Sequence, residues 1–87
     1  MKMHAISVFD SATQLYGRPF FVASVAQAVR SFGDEINNRN EPSDLSKHSE
    51  DFELYKVGEF NDSTGMFDAT LPELIARGKD LKHDAQK

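Results

Sequence analysis

A single apolar stripe sets the strongest limit on how this chain folds. Val25, Ala28, Val29, Phe32 and Ile36 recur at the i, i+3, i+4, i+7 and i+11 spacing of one helix face, while Gln27, Arg30, Asp34 and Asn38 fall elsewhere. Ser24 and Gln27 form an S-x-x-Q capping box at its start, so the spacing predicts a helix from Ser24 to about Asn37. Gly33 lies inside it and costs about 1 kcal/mol relative to Ala. One such helix covers one face of a small sheet. The strand-like runs around it are apolar on both faces, so a face is left over.

Those runs are two. Residues 2–9, KMHAISVF, put Met3, Ala5 and Phe9 on one side and Ile6 and Val8 on the other. Residues 52–60, FELYKVGEF, put Phe52, Leu54 and Phe60 on one side and Tyr55 and Val57 on the other. NDSTG then reads as a hairpin turn of about five residues leading to a short third strand, MFDA. Thr70 and Glu73 repeat a capping box around Pro72 and predict a brief helix, LPELIAR, ended by Gly78. The polar connection NNRNEPSDLSKHSED holds one helical turn capped by Ser43 and anchored by Leu45. YGRPFF, residues 16–21, links the first strand to the helix, with Pro19 keeping the chain extended and Phe20 and Phe21 as wedges at the end of the core.

The expected fold is therefore a small α+β domain of order β-α-β-β-(α). It has a three-stranded mixed sheet with one main amphipathic helix packed on one face. The first two strands are expected to be parallel through a right-handed crossover. Residues 1–70 form the domain, and 71–87 a short helix and a flexible basic tail. The uncovered face is expected to meet the C-terminal helix, another subunit or a ligand.

A chain of 87 residues buries only about 60% of its unfolded surface, and with no cysteine it has no disulfide staple. His4, His48 and His83 lack metal-ligand spacing, so no metal or cofactor is expected. Oligomerisation, as a homodimer, is the expected source of further burial. No segment has the apolar length of a signal or a membrane span, which with the absent cysteine points to a soluble intracellular protein without membrane contact. The net charge is −4, with 14 acidic against 10 basic residues, which argues against coating nucleic acid by charge alone. Acidic residues crowd 34–62, whereas Arg77, Lys79, Lys82 and Lys87 outnumber Asp80 and Asp84 at the end.

Catalysis is not expected. His48, Glu50 and Asp51, with Ser46 and Ser49, crowd along one loop, whereas triad members converge from separate places; here Asp51 or Ser49 caps a turn. NDSTG lacks the alternating ligands of a calcium loop, and no glycine-rich phosphate cradle occurs. Single-strand binders combine aromatic platforms with basic side chains. Tyr16, Phe20, Phe21, Tyr55 and Phe67 are the candidate platforms, and Arg18, Arg30, Lys56, Arg77 and Lys79 the candidate phosphate contacts. Phenylalanines are mostly interior, so the rim residues Tyr16 and Arg18, with Arg30, Tyr55, Lys56, Arg77 and Lys79, form the predicted nucleic-acid site. The competing reading is an acidic dimeric adaptor whose stretch 34–62 meets a basic viral or host replication protein.

The strings DSATQLYGRPFF and KHSEDFELYKVGEFNDSTG make the chain similar to a known family, over about residues 2–68. It resembles the small nonstructural protein encoded by the fifth open reading frame of gokushoviruses, single-stranded DNA phages of the Microviridae. The most specific part is the run H-x-E-D-F-x-L-Y-[KR]-[VI]-G-x-F-[ND]-D-x-T-G from His48 to Gly65. Ser49 stands where proline is common in that family, in a connection that extends either way. The resemblance implies a protein absent from the virion, working in the host bacterial cytoplasm on viral single-stranded DNA synthesis or handling. It implies DNA binding, or a counterpart of the phiX-type protein C, and brings no catalytic residues.

Overall fold

In the computed structural model, which describes residues 1–83, nine elements follow one another. They are β1 (Lys2–Asp10), β2 (Leu15–Tyr16), β3 (Phe20–Val22), α1 (Val25–Ile36), α2 (Asp44–Lys47), a 3-10 turn (Ser49–Asp51), β4 (Phe52–Asn61), β5 (Met66–Arg77) and α3 (Gly78–Leu81). The class is α+β as expected, but strands dominate and the sheet has five segments, not three. All pairings are antiparallel. β1 and β4 form the centre, β5 flanks β4, and β2 and β3 share the outer side of β1.

Two expectations change with this topology. β1 and β4 are antiparallel because the chain doubles back before the helix: Ser11–Gln14 form a turn, and YGRPFF becomes an interrupted edge strand. The parallel relation across α1 instead joins β3 and β4, with β1 between them. The predicted helix over 71–77 is instead the continuation of β5, where Leu74 pairs with Tyr55, Ala76 with Leu54 and Arg77 with Glu53. The register shift between Leu54 and Tyr55 makes Ile75 an extra residue, so that Ile75 and Ala76 both pack on the core. A free ladder edge on β4 outweighs the weak local preference of a T-x-x-E box for a helix.

α1 keeps its predicted bounds. Ala28, Phe32 and Ile36 are buried and meet Ile6 and Leu54, with Val8, Val22, Val29, Phe52 and Leu81 half-buried around them. Ser24 occupies the N-cap in extended backbone, yet its side chain makes no capping hydrogen bond. Ser43 caps α2 through a capping box with Ser46, its N–H donating to Ser46 Oγ at 2.9 Å; its hydroxyl donates to Glu35 Oε2 on α1 at 2.6 Å, and Leu45 packs against the core. Gly78 opens α3 and does not end a helix. A Cβ there would collide with the Ser49 carbonyl oxygen and lie 2.9 Å from Ile36 Cδ1, so the close approach of three elements requires glycine.

Lys82 and His83, the last described residues, are fastened to the helical layer. Lys82 Nζ donates to the carbonyls of Ile36 and Ser46 at 3.0 and 2.9 Å, and His83 N–H donates to Asn37 Oδ1 at 2.7 Å. The Lys82 bonds satisfy one carbonyl at the C-terminus of α1 and one in α2, and place a cation at the negative pole of α1. Of the tail singled out for its basic charge, Asp84 and Lys87 lie outside the described residues.

Candidate functional site

The face of the sheet away from α1 carries most of the aromatic surface. Cross-strand partners point to one side, and neighbours along a strand to opposite sides. Ile6, Val8 and Leu54 face the helix, so Ala5, Ser7 and Phe9 face away, as do their partners Phe21, Tyr55 and Tyr16. The register shift on β4 makes Val57 an extra residue, which turns Gly58 and Phe60 to this same side, opposite Ala5 and Met3. Phe60 was expected on the Leu54 side; the bulge moves it across.

Two aromatic triads result. Phe9 lies 4.7 Å from Tyr16 and 6.0 Å from Tyr55, and Tyr16 lies 5.5 Å from Tyr55, between ring centroids. At the other end Phe21 lies 5.5 Å from Phe60 and 6.3 Å from Phe67. Neither set is sealed: Tyr16 is 46% exposed, Phe21 44% and Phe67 46%. The expectation that phenylalanines are core holds fully only for Phe32; Phe20, Phe21 and Phe67 are exposed. α3 packs on the α1 side, with Leu81 against the core, and leaves this face open among the described residues.

Small residues hold the triads in place. Ser7 Oγ donates to the Gly17 carbonyl at 2.8 Å, and Gly17 N–H donates to the Val8 carbonyl at 2.8 Å, which pins the chain just after Tyr16. Gly58 seats the other triad: a Cβ there would sit 2.7 Å from Phe67 Cε1 and 2.6 Å from the Asp68 carbonyl oxygen. The Tyr55 hydroxyl donates to Glu53 Oε1 at 3.2 Å, and burial together with that carboxylate pushes its pKa up. Glu53 Oε2 in turn lies 3.4 Å from Arg77 Nε.

Three of the seven predicted site residues gather at the first triad. Tyr16 and Tyr55 are members, and Arg77 borders Tyr55 through Glu53. Arg18 stands exposed in the bulge two residues after Tyr16, with no carboxylate within ion-pair distance among the described residues. The other three are elsewhere. Lys56 points to the opposite face, since it neighbours Tyr55 along the strand, and binds Glu59 at 3.0 Å. That hydrogen bond holds the Glu59 carboxyl below its ordinary range. Arg30 lies on α1, in an open groove shared with Val29, Gly33, Asp34 and Leu81, and Lys79 lies on α3. Sequence reasoning missed Phe9 and Phe60 as members of the face; only the ladder register reveals them.

A family model described as Phage ORF5 protein matches residues 3–81. The chain belongs to that family. The match holds both triads and runs through β5 into α3, beyond the 2–68 span of the resembling motifs. Searches of curated proteins and of solved structures give no match. Elsewhere in this ORF5-family chain, His48, Glu50 and Asp51 bring ligand atoms within 4.8 Å of one another on the turn before β4. Two of the three are exposed, and all belong to one local turn. Among the described residues no helix is long and apolar enough to cross a membrane.

Proposed function

We propose that this phage protein is a nonstructural, non-catalytic factor that handles viral single-stranded DNA in the host bacterial cytoplasm, as its resemblance to the gokushovirus proteins implies. In this reading bases stack on the aromatic sheet face while Arg18 and Arg77 meet phosphates beside the first triad. The observation that carries it is the exposure of Tyr16, Phe21 and Phe67 on one face that the rest of the described chain leaves open. Base–aromatic stacking contributes about 1–3 kcal/mol per base and tolerates any sequence. A net charge of −4 makes binding modest and strongly weakened by salt.

Fluorescence anisotropy with oligothymidine at low salt tests this. Binding is expected in the micromolar range, weakened by salt and by Tyr16→Ala or Arg18→Ala. No binding up to high micromolar protein sinks the reading.

A second reading, the acidic adaptor for a viral or host replication protein, has its own observation. Leu71, 88% exposed, projects from a bulge in β5 ahead of Pro72. An apolar knob on an acidic body suits a protein partner better than a phosphate chain. A homodimer built on the aromatic face belongs with this second reading, because a second copy there would exclude bases. Absence of any DNA effect at all salt concentrations, together with a dimer mass in light scattering, is its signature.

A further inference from the structure

Resting on the DNA-binding reading above, we infer that the open face is a two-station platform: one single strand lays non-adjacent bases on the two triads at once, and only the first station adds phosphate contacts.

The spacing comes from the ladder. Tyr55 pairs with Ser7 and Phe60 with Met3, so the triads are four residues apart along the unbulged strand β1. At roughly 3.3 Å per residue that is about 13 Å. Stacked nucleotides advance about 3.4 Å each, so about four steps separate bases on the two stations. Between them stand Ala5, Ser7 and Gly58, all buried, so no third ring interrupts the path. A dinucleotide therefore reaches one station, whereas a strand of about five nucleotides or more spans both.

The stations differ in chemistry. Arg77 borders Tyr55 through Glu53 and Arg18 is exposed two residues along the chain from Tyr16, whereas the register surrounds Phe21, Phe60 and Phe67 with Met3, Ala5, Gly58 and Ala69. The charged residues at that end, Lys56, Glu59, Asp68 and Glu73, pair on the opposite side of the sheet. The salt sensitivity of binding then belongs to the first station, and the second adds affinity that salt leaves alone. Strand addition at the sheet edges does not compete, because each edge is broken by a bulge containing a proline, Pro19 or Pro72.

The test is anisotropy with labelled thymidine dinucleotide and an oligothymidine of about ten nucleotides, over a salt series, using wild type, Phe67→Leu and Arg18→Ala. Phe67→Leu removes the ring but keeps an apolar side chain, and thermal melts establish that each variant is folded. Nine overlapping dinucleotide registers alone make the ten-nucleotide strand about ninefold tighter, so with the second station we expect it to bind at least about fiftyfold tighter than the dinucleotide. Phe67→Leu should cut that advantage to about the ninefold register factor while keeping the slope of affinity against salt. Arg18→Ala should flatten the slope by about 0.7, the share of one phosphate on a single strand. A wild-type advantage no larger than about ninefold, or a Phe67→Leu protein that keeps the full advantage or loses the slope, overturns the two-station inference while the DNA reading stands. Failure of both strands to bind removes that reading and this inference together. A dimer in light scattering that Phe67→Leu dissociates, with no DNA bound, gives the face to a second copy and overturns the inference as well.

Discussion

The molecule is built from two hairpins that use the same turn with different residues. Asp10-Ser11-Ala12-Thr13-Gln14 joins β1 to β2, and Asn61-Asp62-Ser63-Thr64-Gly65 joins β4 to β5. In each, the first side chain accepts a hydrogen bond from the N–H two residues on, at 2.9 Å in both. In each, the fifth residue donates its N–H back to the first carbonyl at 2.7 Å and adopts a left-handed backbone, Gln14 with φ 62° and Gly65 with φ 75°. Each returning strand then bulges at a proline, and the residue before it is Arg18 in one case and Leu71 in the other. The comparison teaches that the fold is set by hydrogen-bond geometry that several residues satisfy. The chemistry of each half is set by what stands at the equivalent positions.

Seating the aromatic rings is where the halves differ most, and the largest effect is expected there. In the first hairpin the ring of Tyr16 leans on Phe9, with Ser7 fixing the bulge behind it. In the second, Phe67 lies across bare backbone at Gly58. Gly58→Ala forces either the Phe67 ring or the β5 backbone to move, and overpacking of this kind costs about 1–3 kcal/mol. Urea denaturation should show that loss. A Gly58→Ala midpoint equal to wild type would mean that Phe67 rests elsewhere.

The turns give a smaller pair of effects, of opposite sign. A left-handed backbone costs a residue with a Cβ about 1–2 kcal/mol, and glycine almost nothing. Gly65→Ala should therefore destabilise by about 1 kcal/mol, although nothing obstructs its side chain within 4 Å. Gln14→Gly should stabilise, by about 0.5–1 kcal/mol after the entropy glycine adds to the unfolded chain, and less the bond from Gln14 Nε2 to the Ser11 carbonyl. Thermal melts of the two variants check this. Equal signs would break the equivalence of the turns.

The same contrast explains what could be read from the sequence. The second hairpin was legible because a glycine marks its left-handed position, and α1 because its stripe repeats five times. The first hairpin was hidden, since Gln14 gives no turn signal and Gly17 and Pro19 interrupt the short runs that pair with β1. With it hidden, the reversal of the chain disappeared and β1 and β4 read as parallel. β5 was hidden for the converse reason: Thr70, Pro72 and Glu73 imitate a helix start, while the ladder on β4 that overrides them is a long-range fact. Of the candidate site, Tyr16, Tyr55 and Arg77 converge, with Arg18 two residues along the chain from Tyr16. Lys56 leaves because strand neighbours alternate, and Phe60 joins because Val57 is an extra residue. A bulge is a property of two strands in register, which one strand's letters do not encode.

The smallest effect expected separates how the two turns are tied to the neighbouring strand. At the second position of the first turn, Ser11 donates both its N–H and its hydroxyl to the Asp51 carbonyl, at 2.8 and 2.9 Å. At the equivalent position Asp62 donates its N–H to the Met1 carbonyl at 3.2 Å, and its carboxylate accepts from the Met1 amine at 2.8 Å. The first tie has no titrating group, and the second has one. The hydrogen bond from the amine holds the Asp62 carboxyl below its ordinary value of 3.8. A depressed carboxyl adds stability above its unfolded pKa, and that stability is lost as pH falls through the folded value. The pair is solvent-exposed, so the effect is small and fades with salt. At low salt, acidifying from about pH 5 to pH 2 should lower the urea midpoint slightly more in wild type than in Asp62→Asn. Ser11→Ala should lower the midpoint at every pH and leave the acid slope as in wild type. An Asp62→Asn slope identical to wild type would show that the second turn holds without its ion pair, which would make the two ties alike in substance as well as in shape.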